Sequence, residues 1–210
     1  MNVLGHAHVA RATGRHDAEF LLGAVLPDLA PMAGIRPDRS RMPGALGDGV
    51  RCHLRTDDAF HGHPAVRRGM RDLRLAVGRR GVASGPARAV GHAGWELLLD
   101  GTLVGTGAAA DMGRALAAGD TVLAALDPAD RPRWAAFLAR ARGAPPPRYD
   151  DPAWVADRLH ALLARRPRLA LPAGQVAPVA AALADHGGAV RAAAPGVLAD
   201  TVAAVREAVL

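Results

Sequence analysis

The stretch VGHAGWELLLDGTLV, residues 90–104, is apolar in most directions yet carries His92, Glu96 and Asp100 at intervals of four. That spacing predicts an α-helix with one polar stripe, because four residues advance only about 40° beyond a full turn. Val90, Trp95, Leu97, Leu98 and Leu99 occupy its other faces. A helix that is apolar nearly all round is buried, and buried charges persist when they are paired or hold a metal. Upstream, HLRTDDAFH at residues 53–61 repeats the pattern with His53, Asp57 and His61. Set face to face, the two stripes converge imidazoles and carboxylates on one volume. That donor mixture suits Mn²⁺, Fe²⁺ or Zn²⁺ better than a set made only of oxygen or of sulfur.

Helical spacing recurs along the rest of the chain, and no alternating β-branched run persists. The expected fold is all-α, a single-domain helical bundle. Residues 1–142 form its metal-site core, and 143–210 supply helices that pack on that core. A first helix is expected over Asn2 to Ala12. A second runs from the cap Asp17 to Leu26, where Pro27 interrupts it. Gly34 to Gly44 reads as a loop, helix resumes from Ala45 to His61, and Pro64 opens the next. Pro86 opens the helix that reaches Asp100. Further helices are expected over 108–117, 130–142 and 152–166, and after Pro172.

The 210 residues are 50% hydrophobic and 22% charged, as in a folded globular protein. The net charge is +6 and arginine supplies every basic side chain, there being no lysine. With Ala, Gly and Pro abundant, this reflects a compositional bias as much as anion binding. The arginines are scattered and no stacking aromatics lie among them, so no nucleic-acid partner is expected. Cys52 is the only cysteine, which excludes a disulfide framework and a thiolate cluster and fits a reducing cytoplasm. The apolar run from Phe20 to Ile35 is too short and too interrupted by Pro27, Asp28 and Pro31 to cross a bilayer. No P-loop and no nucleophile elbow occurs, which favours water activated by a metal over nucleotide or covalent chemistry.

A third polar cluster comprises His6, His8 and Asp28. His6 and His8 lie about 200° apart on a helix, so at most one faces a given site, and a core histidine bonded to a carbonyl is the competing reading. Asp28 follows the apolar segment LLGAVLP and either caps the next turn or holds a metal or orients water. His16, Asp58 and His63 fall on no stripe and read as surface or capping groups, and His160 and His186 as bystanders.

At these residues the chain resembles the acyl carrier protein phosphodiesterases. The likeness lies in MNVLGHAHVA at the start, LLGAVLPD ending at Asp28, His53 to Asp57, ELLLD from Glu96 to Asp100, and RRPRL at 165–169. It departs at Phe60-His61, where the family has Thr-Asp, and at Gly101, where the family has a histidine after the aspartate. His92, two turns earlier, is the available replacement. The resemblance implies the HD phosphohydrolase architecture, a divalent metal, often Mn²⁺, and an acidic acyl carrier protein as partner, from which 4′-phosphopantetheine is released.

The resulting expectation is a cytoplasmic, metal-dependent phosphodiesterase. His53, Asp57, His92 and Glu96 or Asp100 hold the metal, and Asp28 or His61 acts as base or orients water. Arg51 or an arginine of the 36–41 loop is the expected phosphate clamp. The rival readings are a phosphohydrolase for a small or lipid phosphoester, and a non-catalytic binding protein with a structural metal.

Overall fold

Helix α1 covers Val3–Ala12 and terminates before Gly14, whose φ of 96° lies in the region glycine enters without a side-chain penalty. Asp17 accepts a hydrogen bond from the Phe20 N–H and caps α2, Ala18–Ala33. Pro27 and Pro31 both lie inside α2, which corrects the expectation that Pro27 ends it. A proline within a helix costs about 3 kcal/mol, but Phe20 to Leu26, Leu29 and Ala30 are all buried, and that packing carries the helix through.

After a loop containing a short 3₁₀ turn at Arg39–Arg41 come α3, Gly44–Gly62, and α4, Pro64–Arg79. His63 caps α4 by accepting from the Ala65 N–H, and Pro64 takes the first helical position. Helix α5, Ser84–Ala89, begins just ahead of Pro86 and passes through a π turn, Val90–Gly94, into α6, Trp95–Gly101. Helix α7 is Ala108–Ala117, and a 3₁₀ stretch at Gly119–Ala125 leads to α8, Arg131–Arg142. Asp151 caps α9, Pro152–Leu163, through the N–H groups of Ala153 and Trp154. A single long helix, α10, Val176–Val209, replaces the several expected after Pro172 and carries Pro195 in its interior. This computed structural model describes residues 1–145 and 147–209, and among them there is no strand, so the fold is all-α.

The most extensive packing joins α2 to α3. There Gly23 and Gly49 meet, and a Cβ on either would collide with backbone, Leu46 O for Gly23 and Phe20 O for Gly49. Backbone cannot yield as a flexible side chain does. Gly49→Ala is therefore expected to lose about 2–3 kcal/mol, read as a lower urea midpoint with an unchanged slope, whereas Gly62→Ala, facing open space, changes little. The close approach also brings the Ala24 carbonyl onto the ring of His53.

Helix α10 lies against α9, α3, α4 and α6. Residues Ala173–Glu207 are long and apolar enough, by length and composition, to cross a membrane, with a mean hydropathy of 1.2 in the best window. In the fold one face of this helix packs on the core, with Val179, Leu183, Val190 and Val197 buried, and 33% of that window is buried. Two of its carboxylates find partners: Asp185 accepts from Arg80, and Asp200 pairs with His63.

Candidate metal centre

Asp57 is where the polar groups of four helices converge. Its Oδ2 lies 3.4 Å from His53 Nε2, one turn earlier on α3, and its Oδ1 lies 3.2 Å from His6 Nε2 on α1. His61, one turn later, brings Nε2 to 3.8 Å from the same Oδ1 and to 3.5 Å from Glu96 Oε1. His92, inside the π turn, reaches Glu96 Oε1 at 3.2 Å. The two stripes therefore meet at His61, His92 and Glu96, whereas His53 lies with His6 and Asp28, and Asp100 with neither.

Two ligand groups flank Asp57. His6, Asp28 and His53 each present a donor atom within 4.8 Å of the others, and so do His61, His92 and Glu96. The first group is interior, with His6 and His53 buried. The second opens outward, since His92 is 55% exposed and His61 34%. In each group two imidazoles lie nearly parallel: His6 stacks on His53 at 3.8 Å and His61 on His92 at 5.0 Å. Nitrogen and carboxylate donors in this proportion fit a borderline divalent ion such as Mn²⁺, Fe²⁺ or Zn²⁺.

The site already prefers positive charge. The amino nitrogen of Met1 lies 3.0 Å from Asp57 Oδ1, 3.2 Å from Glu96 Oε1 and 3.4 Å from His61 Nε2. Burial works against its charge, but Glu96 and Asp57 more than offset this and raise its pKa. Burial likewise opposes ionisation of Asp57 and Glu96. For Asp57, the close rings of His53 and His6 and the nearby ammonium hold the carboxyl far below the usual range, and for Glu96, His92 and the ammonium do so. Burial lowers the pKa of His6 to about 4, so its ring is neutral at pH 7, and raises that of Asp28 to about 6.

Asp100 stands apart from both groups. It is fully buried and accepts from the N–H groups of Leu4 and Gly5, each at 2.9 Å. These are first-turn donors of α1, a helix whose own N-cap, Asn2, makes no side-chain cap. Asp100 thus caps α1 from another helix and sets where His6 sits. Burial raises its pKa to about 7, against the pull of those two N–H groups.

His6 is the participant the sequence left undecided. Its partner His8 points elsewhere, lining a surface cleft with Pro195 and Leu198 of α10. Arg51, one of the expected clamps, is already paired with Asp48. His160 and His186 bond the carbonyls of Leu171 and Ala182, as bystanders do. Cys52 is buried, with its thiol raised to about 11, and is no nucleophile. Comparison with protein-family models, with curated proteins and with solved structures finds no match for this chain.

Proposed function

We propose that the protein is a metal-dependent hydrolase of phosphodiesters. The observation that carries this reading is the convergence of Asp57, His61, His92 and Glu96 at the mouth of the site, on the side open to solvent. His92 and Glu96, with Asp57 on the other side of the Met1 ammonium, would hold a divalent ion there in place of that ammonium. When bound, such an ion ionises water near neutral pH and polarises a phosphoryl oxygen. His61, within 3.8 Å of both carboxylates, accepts the proton that the attacking water gives up. Water adds to phosphorus, the bond to the leaving oxygen breaks, and that oxygen takes up the proton that His61 received.

The resemblance to acyl carrier protein phosphodiesterases names the substrate class: the diester linking 4′-phosphopantetheine to a carrier serine. The leaving group is then that serine oxygen. A net charge of +6, all of its basic side chains arginine, suits docking of an acidic carrier. A single buried cysteine suits a reducing cytoplasm.

The test incubates chelator-treated protein, with and without Mn²⁺, with holo-acyl carrier protein and with an aryl phosphodiester. Release of phosphopantetheine that needs Mn²⁺ and weakens as salt rises is the expected result. Cleavage of the aryl ester alone keeps the chemistry and replaces the carrier with a small or lipid phosphoester. Silence on both substrates with metal bound moves the site to a structural role.

A further inference from the structure

We propose that the cleft between α1, α2, α7, α8 and α9 is a binding site for a fatty carboxylate, an apolar chain ending in one anionic group. The cleft shares no residue with the metal centre, and its occupation requires no metal.

The aromatic side chains mark the place. Phe20, Phe60, Trp95 and Trp134 are buried in the core. The other three of this aromatic-poor chain, Phe137, Tyr149 and Trp154, are half-buried, and all of them line this one cleft of about 710 Å³. Met32, 45% exposed near the end of α2, and the half-buried Met112 of α7 lie there with them. Val3 and Leu4 of α1 and Leu116 of α7 complete the apolar wall. Thioethers adapt to an apolar chain of varied conformation. The volume falls within that of small-molecule sites, about 300–1,000 Å³, which are mostly apolar with a few polar groups to orient the ligand.

Helix α7 keeps the cleft open. Ala109 and Gly113 are one turn apart on it, and both line the cleft. A Cβ at Gly113 would meet no atom within 4 Å. Glycine inside a helix is destabilising relative to alanine, and here neither a close approach nor a positive φ requires it. What the absent side chain preserves is volume beside Met112 and Leu116.

Charge selects the head group. Arg140 near the end of α8 and Arg158 on α9 line the cleft, and among the described residues no carboxylate does. Arg114, Arg133 and Arg148 are paired with Asp111, Asp130 and Asp151, whereas among the described residues Arg140 and Arg158 form no ion pair. Arg142, also at the cleft, donates to the Leu116 and Ala117 carbonyls. Two guanidinium groups beside an apolar wall suit a carboxylate on a hydrocarbon chain, since their paired N–H donors match its oxygens. A peptide in the same place would leave backbone groups unpaired against that wall.

The experiment titrates chelator-treated, full-length protein with dodecanoate below its micelle concentration, by calorimetry and by tryptophan fluorescence. Because Trp95 and Trp134 are buried, quenching by a bromine-labelled dodecanoate reports on Trp154. Saturable binding of one dodecanoate per chain, with Trp154 quenched, is the expected result. Dodecanol and dodecyltrimethylammonium should bind at least about tenfold more weakly, and so should dodecanoate to the Arg140→Gln/Arg158→Gln double variant. Gly113→Leu should abolish binding yet unfold at a temperature no lower than wild type, because leucine enters open space and favours the helix. No saturable binding, equal binding of the cationic chain, or wild-type affinity in Gly113→Leu each overturns the proposal. Sedimentation with anionic vesicles without binding of the monomeric chain overturns it in favour of a membrane surface. None of these outcomes bears on phosphodiester hydrolysis, and failure of hydrolysis leaves this site in place.

Discussion

Asp57→Ala is expected to lower turnover of a phosphodiester by roughly 10³-fold or more, about 4 kcal/mol of barrier. Asp57 approaches both ligand groups: its oxygens lie 3.2 Å from His6, 3.4 Å from His53 and 3.8 Å from His61. Its removal leaves the ring nitrogens of α1 and α3 with no shared anion. The carboxylate is 35% exposed, so its loss makes no large cavity, and the far-ultraviolet circular dichroism should remain that of the wild type. Turnover that survives within tenfold would remove Asp57 from the chemistry. Loss of helicity together with activity would show that its role is to hold the fold.

Asp100→Ala is expected to produce the largest loss of stability, about 3–5 kcal/mol. Two backbone donors at the start of α1 are orphaned in a fully buried place, and each buried donor without a partner costs about 1–3 kcal/mol. Denaturant unfolding checks this, and a loss below 1 kcal/mol would mean that water replaces the carboxylate. Titration supplies a second reading. The folded pKa of Asp100 is raised to about 7 from 3.8, so as pH rises from about 4 to about 7 the unfolded chain releases this proton before the folded one does. The stability that wild type holds over Asp100→Asn should accordingly shrink across that window and level off above it. An advantage that instead grew with pH would show that the two N–H groups outweigh burial.

The two stripes were legible in the sequence because four-residue spacing on a helix is a local property. That a helix as apolar as residues 90–101 buries its polar residues against something was legible too, but not the partition that puts His61 with His92 and Glu96 and leaves His53 with His6 and Asp28. His6 was not legible in the same way. Which of His6 and His8 turns inward depends on how α1 is seated, and that is fixed by Asp100, about 95 residues away in the chain. Asp100 itself misled for a related reason. Its position on the stripe of His92 and Glu96 is genuine, but each step of four drifts about 40°, and after two steps the side chain reaches α1 and not the ligand groups. Pro27 misled because a local rule yielded to tertiary packing: the helix on both sides of it is buried.

The π turn at Val90–Gly94 has a consequence for register. Such a turn amounts to one residue inserted into an α-helix, an angular offset of about 100°. The rod from Ser84 to Gly101 is therefore a splice of two phases. The segment up to the turn packs chiefly on α4, while Trp95–Gly101 packs chiefly on α10 and also touches α1, α4 and α9. Glu96 and Asp100 belong to the later phase, with His92 at the joint. One rod thus changes its main neighbour from α4 to α10 along its length, and a single helical wheel drawn over the whole of it would misplace one side of the splice.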